Sequence, residues 1–221
     1  MEYVWDFGII WQYKILVLKG CFISLSYWIG TILGGLTIGL LCSMVLLSRF
    51  RWAAFFIRAY VEAFRCTPLL VQLIWIYYAL PVILNVNIPA HVAASSALTL
   101  YIGAFYAEVF RGGVISIARG QWDAGHALGM SNYLIMKRII LPQAVKRMLP
   151  NFINQSVIQL KNTTLIYVLA VGDLLYQGSI ITAATYRPLE IYTLVAIIFF
   201  VILYPLTHWA KRMEVKLATG E

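Results

Sequence analysis

The chain has 221 residues, of which 62% are hydrophobic and 12% charged, and its formal net charge is +8 at pH 7. Soluble domains are about 45–50% apolar and about 25% charged, so this composition excludes an ordinary soluble globular protein. The three cysteines indicate no disulfide framework, because Cys21 and Cys42 would lie roughly 32 Å apart on one helix.

Four apolar stretches predict membrane-spanning helices, since a bilayer core of about 30 Å needs roughly 20 apolar residues. In chain order they are residues 20–48, 66–107, 144–171 and 191–210. The second stretch is long enough for two spans, and Pro81, Asn85, Asn87 and Pro89 predict a turn inside it. The predicted fold class is therefore an all-α integral membrane protein with five transmembrane helices.

The N-terminal segment, residues 1–19, contains Trp5, Trp11 and Tyr13, which is typical of a helix in the membrane interface. Its first charged residues are acidic, unlike the basic start of a secretory signal peptide. The predicted organisation is a periplasmic interfacial helix over residues 1–19, a transmembrane domain over 20–211 and a cytoplasmic tail over 212–221.

Lysine and arginine predict the orientation of the chain. Most of these 17 residues lie in the loops after the first and third spans and in the C-terminal tail. The positive-inside rule places those segments in the cytoplasm and the N-terminus outside. This accounts for the positive net charge, and nucleic-acid binding is disfavoured because no basic cluster lies elsewhere.

Sequence motifs of the common catalytic centres are absent. There is no GxxxxGK[ST], so we expect no ATP hydrolysis by this chain, and no GxSxG or HExxH. His91, His126 and His208 lie far apart, without the spacing of a metal site. A membrane-embedded enzyme is disfavoured because only Lys161 is charged at membrane depth. A secondary carrier remains an alternative, although the chain shows no inverted repeat.

The most polar long segment is "GQWDAGHALGMSNYLIMKRIILPQA", residues 120–144, in the loop between the third and fourth spans. Small and apolar residues recur there at helical spacing at Ala124, Ala127, Leu128 and Ile135, which predicts a short helix with a small-residue face. Such a helix suits docking into a groove of another protein, although the composition alone is equally typical of a solvated loop.

The residues around this helix predict its ends. Asp123 near the start suits the positive end of the helix dipole. Gly129 is expected to break the helix, and Ser131 or Asn132 to cap a second short helix that runs to Arg138. Pro142 is expected to stop that helix and begin the fourth span.

The segment "DAGHALGMSNYLIMKRIILPQA" closely resembles the EAA motif of the permease subunits of bacterial ABC importers. Asp123, Ala124 and Gly125 stand in the EAA positions, and Gly129 stands for the motif glycine. Aspartate replaces glutamate, and glycine replaces the second alanine, which loosens the helix by up to about 1 kcal/mol. Three further segments are similar to the polar amino-acid uptake class of these permeases: "AYVEAFRCTPLLVQ" (59–72), "AFYAEVFRGGVISIARGQ" (104–121) and "LKNTTLIYVLAVGDL" (160–174).

This resemblance covers about residues 18–210 and implies an ATP-driven importer in the bacterial inner membrane that works by alternating access. The implied partners are a second permease chain, identical or homologous, two ATPase subunits that carry ATP and Mg, and a periplasmic or lipid-anchored substrate-binding protein. No cofactor is expected on this chain. The residues expected to dock on the ATPase are Asp123, Ala124, Gly125, Ala127, Leu128 and Gly129.

The fourth span carries a polar stripe at helical spacing, formed by Asn151, Gln155, Gln159 and Asn162. Polar groups at membrane depth face protein or a water-filled cavity. We expect neighbouring Lys161 to hold the α-carboxylate of an amino acid. Alternatively, it snorkels to the interface or pairs with another subunit. Hydrogen bonds to the substrate are expected from Gln155, Asn162 and Thr163.

Asn162 also bears on the choice of substrate. In the family a KDTSL-like stretch at this place contributes to the substrate cavity, and Asn162 replaces its frequent aspartate. No carboxylate of this chain is then expected beside Lys161 to neutralise a cationic substrate. A neutral polar or acidic amino acid is therefore favoured, and the resemblance of residues 163–174 leans to glutamate/aspartate uptake.

Two further patterns predict helix contacts. Arg58 and Glu62 are one turn apart, as are Glu108 and Arg111, so each pair can neutralise itself at the inner membrane face. Structural pairing is favoured over a gate for these four residues. Overlapping GxxxG spacings, Gly30/Gly34 and Gly35/Gly39, predict close helix packing along the first span.

Overall fold

The computed structural model describes residues 3–218, without the side chains of Glu214 and residues 216–218. Residues 1–2 and 219–221, which include the ends of the predicted interfacial helix and tail, lie outside the described residues. The described part contains helices and no strand, so the predicted all-α class is confirmed. In chain order the helices are α1 (Ile9–Gln12), α2 (Lys14–Leu46), α3 (Arg51–Cys66), α4 (Leu69–Leu84), α5 (Ala90–Ile115), α6 (Arg119–Ala127), α7 (Asn132–Leu169), α8 (Leu174–Thr185) and α9 (Pro188–Ala218).

The lengths and composition of these helices fit a protein that crosses the membrane several times. Within the described residues α2, α5 and α9 are each long and apolar enough to span a bilayer. Two further spans are obtained if α3 with α4, bent by 110°, and α7 with α8, bent by 49°, each count as one. The predicted number of five is reached in this way. Helices α3 and α8 were not predicted as separate helices from the sequence.

Two prolines that were expected to end helices lie inside them. Pro81 belongs to α4, and the turn into α5 comes later, where Asn85 adopts a left-handed conformation with φ 53°. Pro142 belongs to α7, so the expected break after Arg138 is absent. A five-residue π-helical turn precedes each proline, Trp75–Ala79 and Met136–Ile140. Because proline has no N–H and its ring crowds the carbonyl four residues earlier, the wider turn allows the helix to continue.

Close packing of α2 on α5 depends on glycine. A Cβ atom at Gly39 would lie 2.6 Å from Tyr106 Cβ and 2.9 Å from the backbone nitrogen of Ala107, and one at Gly35 would overlap Ile102. No atom lies within 4 Å of such a Cβ at Gly30. The Gly35/Gly39 pattern therefore marks a helix contact, whereas Gly30 takes no part in it.

Helix α7 is attached to α2 and α5 by hydrogen bonds deep in the molecule. The buried Gln159 side chain donates through Nε2 to Thr31 Oγ1 and to the Leu98 carbonyl oxygen, each at 3.1 Å. One turn earlier, Trp28 Nε1 donates to the Ser156 carbonyl oxygen at 2.7 Å. Gln159 thus joins three helices and does not line an open cavity.

The N-terminal segment differs from the expected interfacial helix over residues 1–19. Only Ile9–Gln12 form a short helix before α2 begins at Lys14. The segment before α1 is bound to the start of α9: the Asp6 amide donates to Glu190 Oε1 at 3.0 Å, and the Tyr3 hydroxyl hydrogen-bonds to the same carboxylate. Arg187 bonds to that carboxylate at 3.1 Å as well. These bonds to Glu190 raise the pKa of Tyr3 and of Arg187 above their ordinary values.

Candidate functional site

Helix α6 presents most of the predicted docking residues to solvent. Asp123, Ala124 and Ala127 are exposed, and Leu128, just after the helix, is 78% exposed. Gly125 is buried on the opposite side. An exposed leucine beside small residues leaves a shallow apolar surface that a groove in a partner can cover. The structure therefore brings the predicted residues together on one short helix with one face free.

The end of α6 is fixed by backbone hydrogen bonds. Gly129 has a positive φ of 72°, and its N–H donates to the His126 carbonyl oxygen at 2.9 Å. The Met130 N–H donates to the Gly125 carbonyl oxygen at 3.1 Å, which completes a Schellman motif. Ser131 then accepts a bond from the Leu134 N–H at 3.4 Å, as expected for the cap of the following helix. The turn after α6 is thus sharply defined.

Gly125 has a packing role that the motif alone did not reveal. A Cβ at this position would lie 2.7 Å from Ile135 Cγ1 and 2.9 Å from Ile135 Cδ1. Ile135 was predicted on the same helix as Ala124. In the structure Ile135 lies on α7 and packs against α6. Glycine therefore allows a bulky residue of α7 to approach α6, and the two helices are in direct contact.

An apolar cluster supports this contact. It consists of Ile117, Ile135, Ile140, Ala144 and Met148, with Trp122 of α6 packed against it. Trp122 was not singled out from the sequence, although a tryptophan next to the motif is the kind of signal that identifies such an anchor. The cluster joins α6 to the C-terminal end of α5 and to the first half of α7.

The predicted ion pairs are formed only in part. Arg111 binds Glu108 through two bonds, of 3.0 Å from Nε and 2.8 Å from Nη2. Glu62 lies 4.0 Å from Arg65 Nη1, and this arginine also reaches Glu108 at 3.9 Å. Among the described residues Arg58 forms no ion pair with Glu62. Arg65 therefore replaces Arg58 in the expected arrangement and connects α3 to α5.

A cleft of about 390 Å³ lies between α3, α5 and α7. Its polar lining comes from Arg65, Glu108, Arg147, Asn151 and Gln155. The cleft contains both signs of charge, and its acid, Glu108, is bound by Arg111 and lies near Arg65. Two residues of the predicted polar stripe, Asn151 and Gln155, therefore face open space.

The other predicted substrate residues lie nearer the end of α7. Lys161 is exposed and Asn162 is half-buried. The Nδ2 atom of Asn162 is buried and makes no hydrogen bond of normal geometry within the described residues, with Tyr101 beside it. Thr163 is fully buried, and its hydroxyl donates to the Leu160 carbonyl oxygen at 2.7 Å. The structure thus leaves Lys161 exposed, buries the amide nitrogen of Asn162 and turns Thr163 inward.

Comparison with known proteins identifies the family. Residues 35–216 match the family model described as "Binding-protein-dependent transport system inner membrane component". The chain belongs to this family. The permease is 36% identical over 212 residues to the glutamine transport system permease protein GlnP of Escherichia coli strain K12, covering 95% of this chain and 96% of that protein. It is 34% identical over 205 residues to a putative glutamine permease of Rickettsia felis, covering 92% and 94%.

Solved structures agree with this assignment. The permease superposes with a TM-score of 0.90 and 32% identity on a chain of an amino acid ABC transporter with histidines, covering 97% of this permease and 100% of that chain. A chain of the methionine ABC transporter MetNI, at 21% identity and a TM-score of 0.65, shares the fold. The predicted identity as an ABC importer permease of the polar amino-acid class is confirmed.

Proposed function

We propose that this permease imports a neutral polar amino acid, of the glutamine type, across the bacterial inner membrane. It acts as one of two permease chains, together with two ATPase subunits that hold ATP and Mg and an external substrate-binding protein. Its N-terminus lies outside and its C-terminus in the cytoplasm. The relatives described above are glutamine permeases, and they lend no support to the glutamate/aspartate expectation.

The observation that carries this proposal is the packing of α6 against α7. One face of the helix is exposed for a partner, and the other lies on Ile135 of α7 through Gly125. When ATP draws the ATPase subunits together, α6 moves with its groove and α7 follows. Substrate alone shifts the populations of the inward-open and outward-open states only by its differential affinity, so ATP supplies the remaining free energy.

Asn162 and Lys161 favour a substrate whose side chain is not cationic. The exposed Lys161 can bind the α-carboxylate, and Asn162, when movement of the helices uncovers its buried Nδ2, can donate to a side-chain oxygen of the substrate. Gln155, which lines the cleft towards the cytoplasmic side, offers a further polar contact along the path. Because a buried polar group without a partner is costly, a ligand that satisfies Asn162 gains affinity.

Disulfide cross-linking tests the coupling role of α6. Cysteine at Ala127 or His126, both exposed, is paired with cysteines along the groove of the ATPase in membranes. We expect cross-links whose yield changes when ATP binds. Val86→Cys in the turn between α4 and α5 is the matched control and should give none. If the complex is assembled and no position between Asp123 and Ser131 cross-links, α6 is not the coupling element.

The substrate assignment is tested by Asn162→Asp. Equilibrium binding of glutamine and of lysine is measured on the purified permease–ATPase complex, so that the binding protein does not determine the selectivity. A carboxylate at this position should raise the affinity for lysine relative to glutamine by about tenfold or more, about 1.4 kcal/mol. Asn87→Asp, in the exposed turn before α5, is the charge-matched control. An unchanged ratio, or an equal change in the control, would refute a substrate contact at Asn162.

A further inference from the structure

Helix α3 runs in a direction that differs from the membrane-spanning helices. It makes an angle of 110° with α4, and α4 packs alongside α5 through Leu69, Leu73 and Ile76. Since spanning helices are tilted on average by about 20° from the membrane normal, α3 lies much nearer to the membrane plane than to the normal. It therefore adds little to the length of the second span.

The level of α3 in the membrane follows from its contacts. Val61 packs with Cys42, near the end of α2, and with Ala107, in the last third of α5. Arg65 reaches Glu108 on the same part of α5. Helix α6 follows directly after the C-terminal end of α5. Helix α3 therefore lies on the same side of the membrane as α6, which is the side of the ATPase.

The side chains of α3 form distinct stripes around the helix axis. One stripe faces the protein and contains Val61, which is 1% exposed. Tyr60, at its edge, donates its hydroxyl proton to the Leu100 carbonyl oxygen at 2.6 Å, towards the middle of α5. Opposite the protein lies an apolar stripe with Trp52 and Phe56, which are 84% and 67% exposed, and Phe55 at 64% exposure extends it.

A third stripe carries positive charge. Arg51, Arg58 and Arg65 are seven residues apart, and seven residues make almost two full turns, so the three lie in one line. Glu62 lies beside this line at 4.0 Å from Arg65, which leaves a net positive stripe. This line is on the side of the helix away from Tyr60, which points towards the core of the membrane. Arg49 precedes the helix. Among the ion pairs of the described residues, Arg65 takes part and Arg49, Arg51 and Arg58 do not.

We propose that α3 is an in-plane amphipathic helix that binds anionic phospholipid of the cytoplasmic leaflet. Trp52, Phe55 and Phe56 lie at the boundary between acyl chains and headgroups, where aromatic side chains are favoured. Arg51 and Arg58, joined by Arg49 at the start, bind the lipid phosphates. Arginine is suited to this because its planar guanidinium donates two parallel hydrogen bonds to one phosphate.

Charge complementarity favours lipid over the other possible occupants of this surface. A protein partner covering the aromatic stripe would bury three large rings, but the neighbouring arginine line offers it no apolar surface. At a membrane surface both stripes find a suitable environment. The aromatic rings contact hydrocarbon, and the guanidinium groups lie beside the lipid phosphates. This inference rests on the orientation proposed above, which places α6 in the cytoplasm, and it does not depend on the proposed substrate.

Accessibility of a nitroxide label tests the position of α3. The assembled transporter, with Cys21, Cys42 and Cys66 replaced by serine, is placed in nanodiscs of phosphatidylcholine and phosphatidylglycerol. Labels introduced by Phe55→Cys and Phe56→Cys should be accessible to oxygen and shielded from a water-soluble nickel chelate, whereas Arg58→Cys should show the opposite. We expect the label at Phe56 to lie about 5–10 Å below the headgroup level. Labels at Phe55 and Phe56 shielded from both reagents would mean that a protein partner covers the stripe and would overturn the proposal.

Lipid selectivity is tested with a fluorophore on the Phe56→Cys variant and brominated lipids as quenchers. Quenching by brominated phosphatidylglycerol should exceed quenching by brominated phosphatidylcholine at equal bulk fractions. The variant Arg51→Gln/Arg58→Gln should reduce this preference by roughly fivefold for each arginine. Lys137→Gln/Arg138→Gln removes the same charge from exposed positions of α7 and should leave the preference unchanged. An equal loss in both variants, or no preference in the parent, would refute a lipid site on α3.

Discussion

Gly125 shows how one residue connects α6 to α7. The missing side chain leaves room for Ile135, so α6 rests on α7 with no gap between them. This glycine stands where the motif has an alanine, and in a helix glycine is less favourable than alanine by up to about 1 kcal/mol. In the folded chain it allows a contact that an alanine would obstruct.

Gly125→Ala is therefore expected to weaken the contact although it favours the helix. The added methyl would lie within 3 Å of two Ile135 atoms, and overpacking of this kind costs about 1–3 kcal/mol. The thermal midpoint of the purified complex should fall, and ATP hydrolysis should respond less to substrate. The double variant Gly125→Ala/Ile135→Val removes one of the crowding atoms and should recover part of the loss. Additive effects of the two substitutions would contradict a direct contact.

At the scale of single residues, the sequence predicted which side chains of α7 form a polar stripe better than it predicted what each of them contacts. The period of the polar stripe put Gln155 and Gln159 on one helix face, yet Gln155 lines the cleft and Gln159 is buried between α2, α5 and α7. A helical period fixes which residues share a face but does not say which neighbouring helix covers each part of it. The same limit applies to Ile135, which periodicity assigned to the wrong helix.

Among the helices, α2 and α5 make a close approach that depends on glycine. Gly35 and Gly39 are four residues apart on the face that meets Ile102 and Tyr106. Without a hydrophobic force between helices in lipid, association depends on dispersion contacts at short range, and small residues permit it. The contact between this pair of helices is therefore sensitive to side-chain size.

Gly39→Ala is expected to push α2 and α5 apart. Its methyl would meet the backbone nitrogen of Ala107, which cannot rotate away, so the loss should be about 1–3 kcal/mol. The matched control is Gly30→Ala on the same helix, where no atom lies within 4 Å and the effect should be small or slightly stabilising. Thermal unfolding of the two variants in detergent provides the comparison. Equal midpoints would show that Gly39 is not at a tight contact.

Helix boundaries were the least predictable elements. Proline normally ends a helix, and this rule placed the boundaries at Pro81 and Pro142. Both helices continue because a π-helical turn precedes each proline. The residue directly before each proline, Leu80 or Leu141, gives no indication of such a turn in the sequence. By contrast, Gly129 and Ser131 act as predicted, because helix caps depend on a few local hydrogen bonds.

For the whole molecule, composition and the spacing of apolar stretches predicted the all-α membrane class, and the resemblance predicted the family. The hydrogen bonds from the N-terminal segment to Glu190 at the start of α9, called the N-terminal tie below, were not predicted. The N-terminal tie joins Tyr3 and Asp6 to Glu190 across almost the entire chain, and neither aromatic spacing nor charge near the N-terminus indicates a partner so distant. Long-range polar pairing is a property of the assembled bundle.

The tie is expected to protect the backbone of the N-terminal segment. In Glu190→Gln the Asp6 amide loses a charged acceptor, so its hydrogen exchange should become faster, whereas exchange in α5 should not change. Hydrogen–deuterium exchange with mass spectrometry on the purified complex measures both regions. Glu62→Gln, at an exposed residue of α3, removes the same charge and should have no effect at Asp6. Unchanged exchange at Asp6 in Glu190→Gln would show that the tie does not hold the segment.

The same tie has a consequence for the order of events during biogenesis. Tyr3 emerges from the ribosome 187 residues before Glu190, and at 5–20 residues per second this interval lasts roughly 10–40 s. During this interval Glu190 has not been synthesised. The N-terminal segment therefore lacks its hydrogen-bond acceptor while the earlier helices enter the membrane. Closure of this contact therefore comes after synthesis of the start of α9, and its appearance marks a chain in which α9 has begun to emerge.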